Sequence, residues 1–451
     1  MTLAVELAPA PDPLAACARF TGLPHLLFLD SSARGTLGRY SFLTADPTAR
    51  VGNETDPLAA ARTLLAPYSR PPLPGLPPFQ GGIAGYLGYD WGAAQEGVRP
   101  PTAAHPQVPN TALGLYDWVI AWDHPERRAW ILAWSAERLT WVRERLNAPT
   151  RTHSAVLRCP PPSSVTSNFT RREYEAAVAR IRDYIAAGDV YQVNLAQQFR
   201  SPFTGPPREL YHRLRARSPA PFGAYLALDD LTIASISPER FLRLDAATRA
   251  AEARPIKGTR PRGATPAEDA ALALALTASD KDRAENVMIV DVLRNDLGKV
   301  CRTGSVHVPE LYALESHPTV HHLVSAVTGI LAEGRDAFDL LRAAFPGGSV
   351  TGAPKVRAME IIAELERAPR GVYCGAIGYV SASGAMDVNI PIRTVVLQNG
   401  VASFHAGAGI VWDSDPAAEY DETLAKARAM IDALTSPRKT SRTRGRARRP
   451  A

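Results

Sequence analysis

Residues 254–263 read RPIKGTRPRG, and the interpretation of the whole chain is organised around this stretch. Pro255 and Pro261 fix φ and remove backbone donors, while the neighbouring glycines permit backbone conformations closed to other residues, so a shaped loop is predicted. Lys257 lies at its centre among three arginines, whose positive charge would favour the neutral, nucleophilic form of its amine. The alternative is a solvated basic turn without a function.

Composition indicates a globular protein with a sizeable core. The chain has 451 residues, of which 45% are hydrophobic, enough for two or three average domains or one large one. No apolar run is long enough to cross a bilayer, and the N-terminus MTLAVELAPAPDP lacks a basic n-region. We therefore expect a cytoplasmic protein that does not enter a membrane. The four cysteines are far apart, which argues against a zinc site or a disulfide framework.

The net charge of +6 is unevenly distributed along the chain. Residues 435–451 form a tail with seven basic and no acidic side chains. The rest of the chain has 44 basic and 45 acidic side chains, a net charge of −1, which argues against a nucleic-acid-binding surface. The tail has few apolar side chains to bury and is predicted to be disordered. A solubilising extension is favoured over weak, salt-dependent contact with RNA.

Two further regions precede the tail. Residues 1–160 have alternating apolar runs that indicate β-hairpins, and they contain no obvious catalytic cluster. A proline run after Cys159 marks the predicted boundary. Residues 168–434 hold every candidate functional residue. They begin with a helix whose first turn has the capping-box pattern of Thr170 and Glu173.

Glu239 and two amides are placed by predicted strands. Glu239 follows the apolar strand LTIASIS where the strand gives way to a turn, so its carboxylate can point into a cleft. From spacing alone, a surface glutamate in a turn is the better interpretation. The stretch DVYQVNLAQQF alternates as a strand, which places Gln192 and Asn194 on one face.

Two acidic pairs recur at three-residue spacing on predicted helices. Asp282 and Glu285 lie in the amphipathic segment 280–299, and Glu419 and Glu422 repeat the spacing near the C-terminus. Carboxylates from two helices suit a hard divalent cation such as Mg²⁺, which prefers oxygen ligands. An ordinary solvated helix face is the alternative, and spacing alone favours it.

Several other residues stand out by type and context. His322 adjoins an apolar strand, where it is a structural histidine or a ligand contact. Ser349 lies in a glycine-rich turn before a helix, which can offer backbone donors to an anion but lacks the P-loop order. Arg393 is predicted in mid-strand, where a buried charge needs an anionic partner. Gly407 and Gly409 would let the backbone approach a ligand closely.

Five motifs occur in order within residues 168–434 and together resemble the chorismate-utilising enzymes: SISPERF, PIKGTRPRG, DRAENVMIVDVLRNDLGKV, GGSVTGAPK and HAGAGIVWDSDPAAEYDET. The resemblance implies an α+β fold, with two antiparallel β-sheets packed orthogonally, helices outside and the site at one end of the sheets. It also implies that FLDSS and GRYSF, near the N-terminus, line a pocket that binds tryptophan in some members.

The resemblance also assigns roles to residues. Lys257 matches the nucleophile of the branch that aminates ring carbon 4 of chorismate, whereas anthranilate synthases typically carry alanine there. Glu239 matches the general acid that protonates the departing ring hydroxyl. The other implied positions are His322 and Ser349 near that hydroxyl, Arg393, Tyr373, Gly407 and Gly409 at a carboxylate, Thr259 at the substrate, Glu285 and Glu422 as direct ligands of Mg²⁺, and Asp282 and Glu419 as ligands through water.

The implied reaction converts chorismate and ammonia to 4-amino-4-deoxychorismate for 4-aminobenzoate and folate biosynthesis. Ammonia is expected from a glutamine amidotransferase subunit, because the sequence shows no nucleophilic-cysteine elbow or His-Glu pair. Gln192 stands where water-using members carry a lysine, which disfavours water as nucleophile. Two alternatives stay open: amination at carbon 2 with release of pyruvate, as in anthranilate synthases, and a catalytically silent member whose tail binds nucleic acid.

Overall fold

The computed structural model describes residues 2–35, 37–52, 54–101, 108–148, 164–317 and 320–435. The predicted boundary after Cys159 and the predicted disorder of the tail beyond residue 435 lie outside the described residues, and both stay predictions.

The described ranges contain runs of consecutive strands separated by single helices or helix pairs. The strands are β1 (Leu3–Glu6), β2 (Leu26–Asp30), β3 (Tyr40–Thr44), β4 (Ala49–Val51), β5 (Gly82–Leu87), β6 (Thr111–Tyr116), β7 (Trp118–Asp123), β8 (Arg128–Ala133), β9 (Thr166–Ser167), β10 (Gln192–Pro202), β11 (Phe222–Ala227), β12 (Leu231–Ser237), β13 (Arg240–Leu244), β14 (Ala250–Ala253), β15 (Ile256–Pro261), β16 (His307–Ser316), β17 (Val320–Ile330), β18 (Gly352–Ala353), β19 (Ala376–Ser381), β20 (Met386–Asn389), β21 (Thr394–Gln398) and β22 (Val401–Ile410). The α-helices are α1 (Pro13–Phe20), α2 (Pro57–Leu65), α3 (Tyr89–Gln95), α4 (Ala136–Asn147), α5 (Arg171–Ala186), α6 (Pro207–Arg217), α7 (Pro266–Thr277), α8 (Asp280–Gly298), α9 (Ala337–Ala344), α10 (Lys355–Leu365) and α11 (Pro416–Thr435).

The strands form two antiparallel sheets. One runs β1-β8-β7-β3-β2-β11-β12-β21-β22-β10-β18, with β9 also beside β10, and the other runs β15-β17-β14-β13-β20-β19-β5-β6-β4, with β16 beside β17. N-terminal strands take part in both, because β2 pairs with β11 and β5 pairs with β19. The predicted α+β fold, with two antiparallel sheets and helices around them, is confirmed.

Many strands of the twelve-stranded sheet have apolar residues on both faces, because both faces of this sheet are covered. In β7, Trp118 and Ile120 pack in a cluster with α1 and α4, whereas Val119 and Ala121 pack in a cluster that contains strands of both sheets. Alternate residues of a strand point to opposite faces. The twelve-stranded sheet is thus covered by helices on one side and by the other sheet on the opposite side. Its strands therefore need apolar residues at successive positions.

The central part of the stretch RPIKGTRPRG, Ile256–Pro261, is strand β15, so the loop predicted for the whole stretch was wrong. Strand β15 pairs with β17 at the edge of the ten-stranded sheet, and its register shifts between Ile256 and Thr259. Gly258 lies in this shift with a φ of 83°. A glycine at positive φ accommodates the extra residue of a β-bulge, and an edge strand tolerates a proline such as Pro261. The residues that suggested a loop are those that a bulged edge strand requires.

Helix predictions near the site hold. The side chains of Thr170 and Glu173 form the predicted capping box at the start of α5. The amphipathic segment predicted at 280–299 is α8, whose N-cap is Ser279. Within the described ranges, no helix is both long enough and apolar enough to cross a membrane.

Candidate active site

The candidate residues come from the last strands of both sheets and from two helices. In the twelve-stranded sheet they lie on β10 and β22, and in the ten-stranded sheet on β15 and β17. Helices α8 and α11 carry the two acidic pairs. Short connections supply the others: Glu239 between β12 and β13, Ser349 in a 3-10 turn, Tyr373 before β19 and Arg393 before β21.

Lys257 belongs to a strand of the ten-stranded sheet, and its amine lies close to β22 of the twelve-stranded sheet. Its Nζ lies 3.8 Å from Oε2 of Glu285 on α8. A Cβ placed on Gly409 of β22 would lie 3.3 Å from Lys257 Nζ and 2.9 Å from Nε2 of Gln192 on β10. Both polar atoms of the Gln192 amide are buried and have no hydrogen-bond partner among the residues that the structure describes. An amine and a free amide thus face the same glycine, and a methyl group there would occupy the space between them.

The three arginines near Lys257 in the sequence do not have free charges in the structure, and their predicted effect on the Lys257 amine stays a prediction. Each arginine of the stretch pairs with a carboxylate: Arg254 with Glu310 and Glu315, Arg260 with Asp282, and Arg262 with Asp269. Their charges are therefore largely neutralised locally. The ion-pair partner that the structure shows for Lys257 is the Glu285 carboxylate. The sequence does not show these pairings, because the acids that neutralise the arginines come from other segments.

Glu239 is a buried acid and not a surface glutamate. Its residue is 5% exposed, and the Ser349 hydroxyl donates a hydrogen bond of 2.8 Å to its Oε1. Burial raises the pKa of Glu239 from 4.5 to about 7, although the Ser349 hydrogen bond and the positive charge of Lys257 act in the opposite direction. A carboxyl group with such a pKa is protonated in a large fraction of molecules near neutral pH. It can therefore donate a proton.

The four predicted metal-binding carboxylates are each held by a cationic side chain: Glu285 by Lys257 at 3.8 Å, Glu422 by Lys426 at 2.7 Å, Glu419 by Lys281 at 3.5 Å and Asp282 by Arg260 at 3.0 Å. Burial raises the pKa of Glu285, and the nearby negative charges of Asp282 and Glu419 add to this effect. Burial acts in the same direction on Glu422, but Lys426 lowers the pKa of that residue overall. The carboxylates of α8 and α11 therefore converge on one region.

These carboxylates fit Mg²⁺ better than a metal that needs a closed cage. Across the described ranges, no three acidic, histidine or cysteine side chains stand close enough together to hold a metal ion. Mg²⁺ is commonly bound by one or two carboxylates, with waters and substrate oxygens completing its shell. Glu285 and Glu422 supply that number from facing helices. Asp282 and Glu419 lie three residues before them on the same helices, and their role as ligands through water stays a prediction.

His322 and Thr259 form a pair across β17 and β15. The Thr259 hydroxyl lies 2.9 Å from Nδ1 of His322. Burial lowers the pKa of His322 to about 4, and the positive charges of His317 and Arg393 act in the same direction. The imidazole is consequently neutral near pH 7. It can exchange hydrogen bonds with a substrate hydroxyl but does not carry the extra proton of an acid.

Arg393 is not in mid-strand, which corrects the prediction. It lies immediately before β21 with a φ of 50°, two residues after Pro391, which lacks the N–H needed to continue a ladder. Burial lowers the pKa of Arg393, and in the described part of the chain its guanidinium has no hydrogen bond or ion pair. A half-buried cation without a partner has lost part of its hydration without a compensating charge. The predicted need for an anionic partner therefore points to a ligand.

Tyr373 closes another wall of the site. Its ring stacks on His405 with centroids 5.1 Å apart, and its hydroxyl would lie 3.0 Å from a Cβ on Gly407. The Gly407 carbonyl accepts a hydrogen bond of 3.0 Å from Lys426, the residue that also holds Glu422. The two glycines of β22 thus link the tyrosine wall to the carboxylates and to Lys257.

Comparison with known proteins agrees with this geometry. The family described as chorismate binding enzyme matches residues 28–432, which is most of the chain. The chain belongs to the chorismate-binding enzymes. The matched region begins well before residue 168, the start of the predicted chorismate-binding region, and it includes N-terminal strands that contribute to both sheets.

Relatives of this chorismate-binding enzyme carry two different names. Aminodeoxychorismate synthase component 1 of Salmonella typhimurium is 44% identical over 91% of this chain and 93% of its own length. Anthranilate synthase component 1 of Streptomyces coelicolor is 42% identical over 94% of this chain and 86% of its own length. The crystal structure of anthranilate synthase component I from Streptococcus pneumoniae superimposes with a TM-score of 0.78 at 33% identity, covering 88% of this chain and 93% of that one.

Two lysines at the site of this chorismate-binding enzyme were not predicted from the sequence as site residues. Lys281 and Lys426 each contact a carboxylate of the acidic pairs. The signal for Lys426 was present in the sequence, because it lies four residues after Glu422, the spacing of a helical ion pair. Lys281 contacts Glu419 of another helix, so its partner could not be read from the sequence.

A cavity lies between the two sheets of the chorismate-binding enzyme, and Lys257 is not among its lining residues. Its volume is about 680 Å³, and Asp30, Ser31, Tyr40 and Phe42 of the FLDSS and GRYSF segments line it. These are the segments for which the family resemblance implied a pocket. Binding of tryptophan there stays a prediction.

Proposed function

We propose that this chorismate-binding enzyme is an aminodeoxychorismate synthase component 1, which converts chorismate and ammonia to 4-amino-4-deoxychorismate. The observation that carries the proposal is the position of Lys257, whose amine faces the site beside Gln192, Gly409 and Glu285. A lysine there can act as a nucleophile toward the ring, which an alanine cannot. Several relatives at about the same identity carry the aminodeoxychorismate synthase name.

Chorismate has two carboxylates, an allylic hydroxyl and an enolpyruvyl ether, and the site offers a partner for each charged or leaving group. Arg393, Tyr373 and the backbone at Gly407 and Gly409 would bind the enolpyruvyl carboxylate. The ring carboxylate would lie toward Glu285 and Glu422, the residues that would hold Mg²⁺. When bound there, the ion supplies positive charge that draws electrons out of the ring.

The reaction uses one nucleophile and one acid. In its unprotonated form the amine of Lys257 attacks ring carbon 2, both conjugated double bonds of the ring shift by one position, and the hydroxyl leaves carbon 4 as water with the proton of Glu239. Ammonia then attacks carbon 4, both double bonds shift back, and the bond between carbon 2 and Lys257 breaks with its electrons returning to the amine. The new ammonium group gives a proton to Glu239. Chorismate and ammonia thus become 4-amino-4-deoxychorismate and water, and the enolpyruvyl ether stays intact.

Ammonia is supplied by a partner under this proposal. The relatives are named as component 1, which implies a second subunit. We assign that subunit the glutamine amidotransferase activity, because the sequence offers no cysteine-based glutaminase site of its own.

Product analysis tests the function. The purified chain is incubated with chorismate, Mg²⁺ and ammonium at mildly alkaline pH, and products are separated and weighed by mass spectrometry. An amino compound that retains the enolpyruvyl group is expected. Anthranilate with an equal amount of pyruvate would instead identify an anthranilate synthase component. Binding of RNA without any turnover of chorismate would favour a silent family member.

Removing a carboxylate of the acidic pairs should weaken the dependence on Mg²⁺. Glu285→Gln and Glu422→Gln each replace a charged oxygen ligand by a neutral amide, so the Mg²⁺ concentration that gives half-maximal rate should rise on the order of tenfold or more. The measurement is the initial rate over a Mg²⁺ titration. Asp291→Asn, an exposed position on the same helix α8 paired with Arg294, is the control and should leave the titration unchanged. Identical titrations for all three variants would exclude the proposed ligands.

A further inference from the structure

A fully buried ion pair lies in the connection after α10, against strand β10. The proposed mechanism does not use it. Arg370 and Glu366 have side chains that are 1% and 3% exposed. The guanidinium donates two hydrogen bonds to the carboxylate, of 2.6 Å from Nη2 and 3.0 Å from Nε. Removing two charges from water is expensive, so such a pair requires good geometry and further hydrogen bonds. Those further bonds go to segments that form the site.

Both members bind the backbone of β10, the strand that carries Gln192 and Asn194. Arg370 Nη2 donates a hydrogen bond of 2.6 Å to the Asn194 carbonyl, and Glu366 Oε1 accepts one of 2.8 Å from the Ala196 N–H. These bonds fill a gap in the sheet. The edge of β10 that faces away from β22 pairs with β18 at the start of β10 and with β9 near the end of β10. Between these two pairings, side chains form hydrogen bonds with the backbone of β10. A buried backbone group without a partner would be costly.

The same arginine binds the turn that carries Ser349. Its Nη1 donates a hydrogen bond of 2.8 Å to the carbonyl of Val350, the residue next to Ser349. Thr351 follows, and its carbonyl accepts a hydrogen bond of 2.8 Å from the Asn194 N–H. Arg370 and Thr351 therefore fix the distance between β10 and the turn from two sides. The Ser349 hydroxyl lies at the end of this linkage, 2.8 Å from Glu239.

We infer that Arg370 and Glu366 are positioning residues for the reaction, because they hold the Ser349 turn against β10 and thereby keep Ser349 hydrogen-bonded to Glu239. The inference rests on the proposed role of Glu239 as proton donor. Arg370 does not touch the reacting groups itself. Its effect passes through Val350 and Ser349, so it should vanish when the Ser349 hydroxyl is absent.

A double-mutant cycle tests this coupling. The kcat is measured from the disappearance of chorismate for wild type, Ser349→Ala, Arg370→Lys and the double variant, at saturating Mg²⁺ and ammonium. Lysine retains the charge of Arg370 but cannot reach Glu366, Asn194 and Val350 together. Loss of the hydrogen bond to Glu239 should lower kcat about tenfold in each single variant. The double variant should be no slower than the slower single one, with KM for chorismate within about twofold of wild type.

Two further variants separate positioning from folding. Arg138→Lys is the matched control, since Arg138 likewise binds Asp117, Asp46 and a backbone carbonyl, but between α4 and the N-terminal strands. It should lower the melting temperature without changing kcat. Glu366→Gln keeps the shape of the pair while removing its charge, and it should lower kcat in the same direction as Arg370→Lys.

Several outcomes would overturn the inference. One is additive losses in the double variant, and another is an equal loss of kcat in Arg138→Lys. Failure of both Arg370→Lys and Glu366→Gln to fold would show that the pair serves the fold alone. Because chorismate consumption is followed whatever the product, anthranilate formation by wild type would overturn the proposed function and leave the coupling test valid.

Discussion

Replacing Lys257 by alanine is expected to lower the rate of 4-amination on the order of 10³-fold or more, because ring carbon 2 then has no nucleophile to form the intermediate. Binding should suffer less, since under the proposed mechanism other groups bind the carboxylates of chorismate. The measurement is the kcat for formation of the amino product, by chromatography and mass spectrometry. Lys299→Ala, a half-exposed lysine paired with Asp296, is the control and should keep wild-type kcat.

The covalent step gives a second readout for Lys257. When wild type is incubated with chorismate and Mg²⁺ in the absence of ammonia, the intact protein should gain the mass of chorismate less one water. The alanine variant should show no gain. Full activity in the alanine variant would show that Lys257 is a polar contact only, and the proposed mechanism would then be wrong.

Replacing Glu239 by glutamine is expected to lower kcat by roughly 10²- to 10⁴-fold, because an amide has no acidic proton to give to the departing hydroxyl. The wild-type rate should also fall as pH rises above about 7, where the buried carboxyl loses its proton. The measurement is kcat/KM against pH at a constant concentration of free ammonia. An unchanged alkaline limb in the glutamine variant would show that another group titrates there.

The same substitution should stabilise the fold at alkaline pH, which shows that the loss of activity is not misfolding. Below pH 4.5 the carboxyl is protonated in both the folded and the unfolded state. Between 4.5 and about 7 the unfolded state loses the proton and the folded state keeps it, so the free energy of unfolding falls by up to about 3 kcal/mol. Glu239→Gln avoids this loss. Its melting temperature should exceed that of wild type at pH 8 and match it near pH 4.5.

Local patterns in the sequence predicted much of the secondary structure. The capping box at Thr170 and the helix from Asp280 depend on side chains a few residues apart, which is why the sequence shows them. The pairing of β2 with β11 joins residues nearly 200 positions apart, and only the family resemblance predicted the two sheets. Strand β15 was mistaken for a loop because proline and glycine also mark a bulged edge strand.

The site was predicted by residue identity but not by environment. Motif positions indicated Glu239 and Glu285, yet spacing favoured a surface glutamate and a solvated helix face. Burial decides both cases, and it depends on segments far away in the chain. Arg370 and Glu366 gave no signal at all, because RAPRG after a helix reads as an ordinary polar connection. Both residues act through hydrogen bonds to carbonyl and N–H groups of β10, and a pattern of side chains in the sequence does not show such bonds.

The interleaving of the strands has a consequence for how the protein is made. Strand β5 pairs with β19, which is synthesised much later. Strand β2 is connected to the C-terminal strand β21 through its pairing with β11 and the pairing of β11 with β12. The N-terminal strands emerge from the ribosome long before these partners and must be kept apart from other unpaired strand edges meanwhile. Such long-range pairing makes folding slow. A truncated transcript therefore yields an aggregation-prone fragment, and chaperone supply should limit the yield of active enzyme in a foreign host.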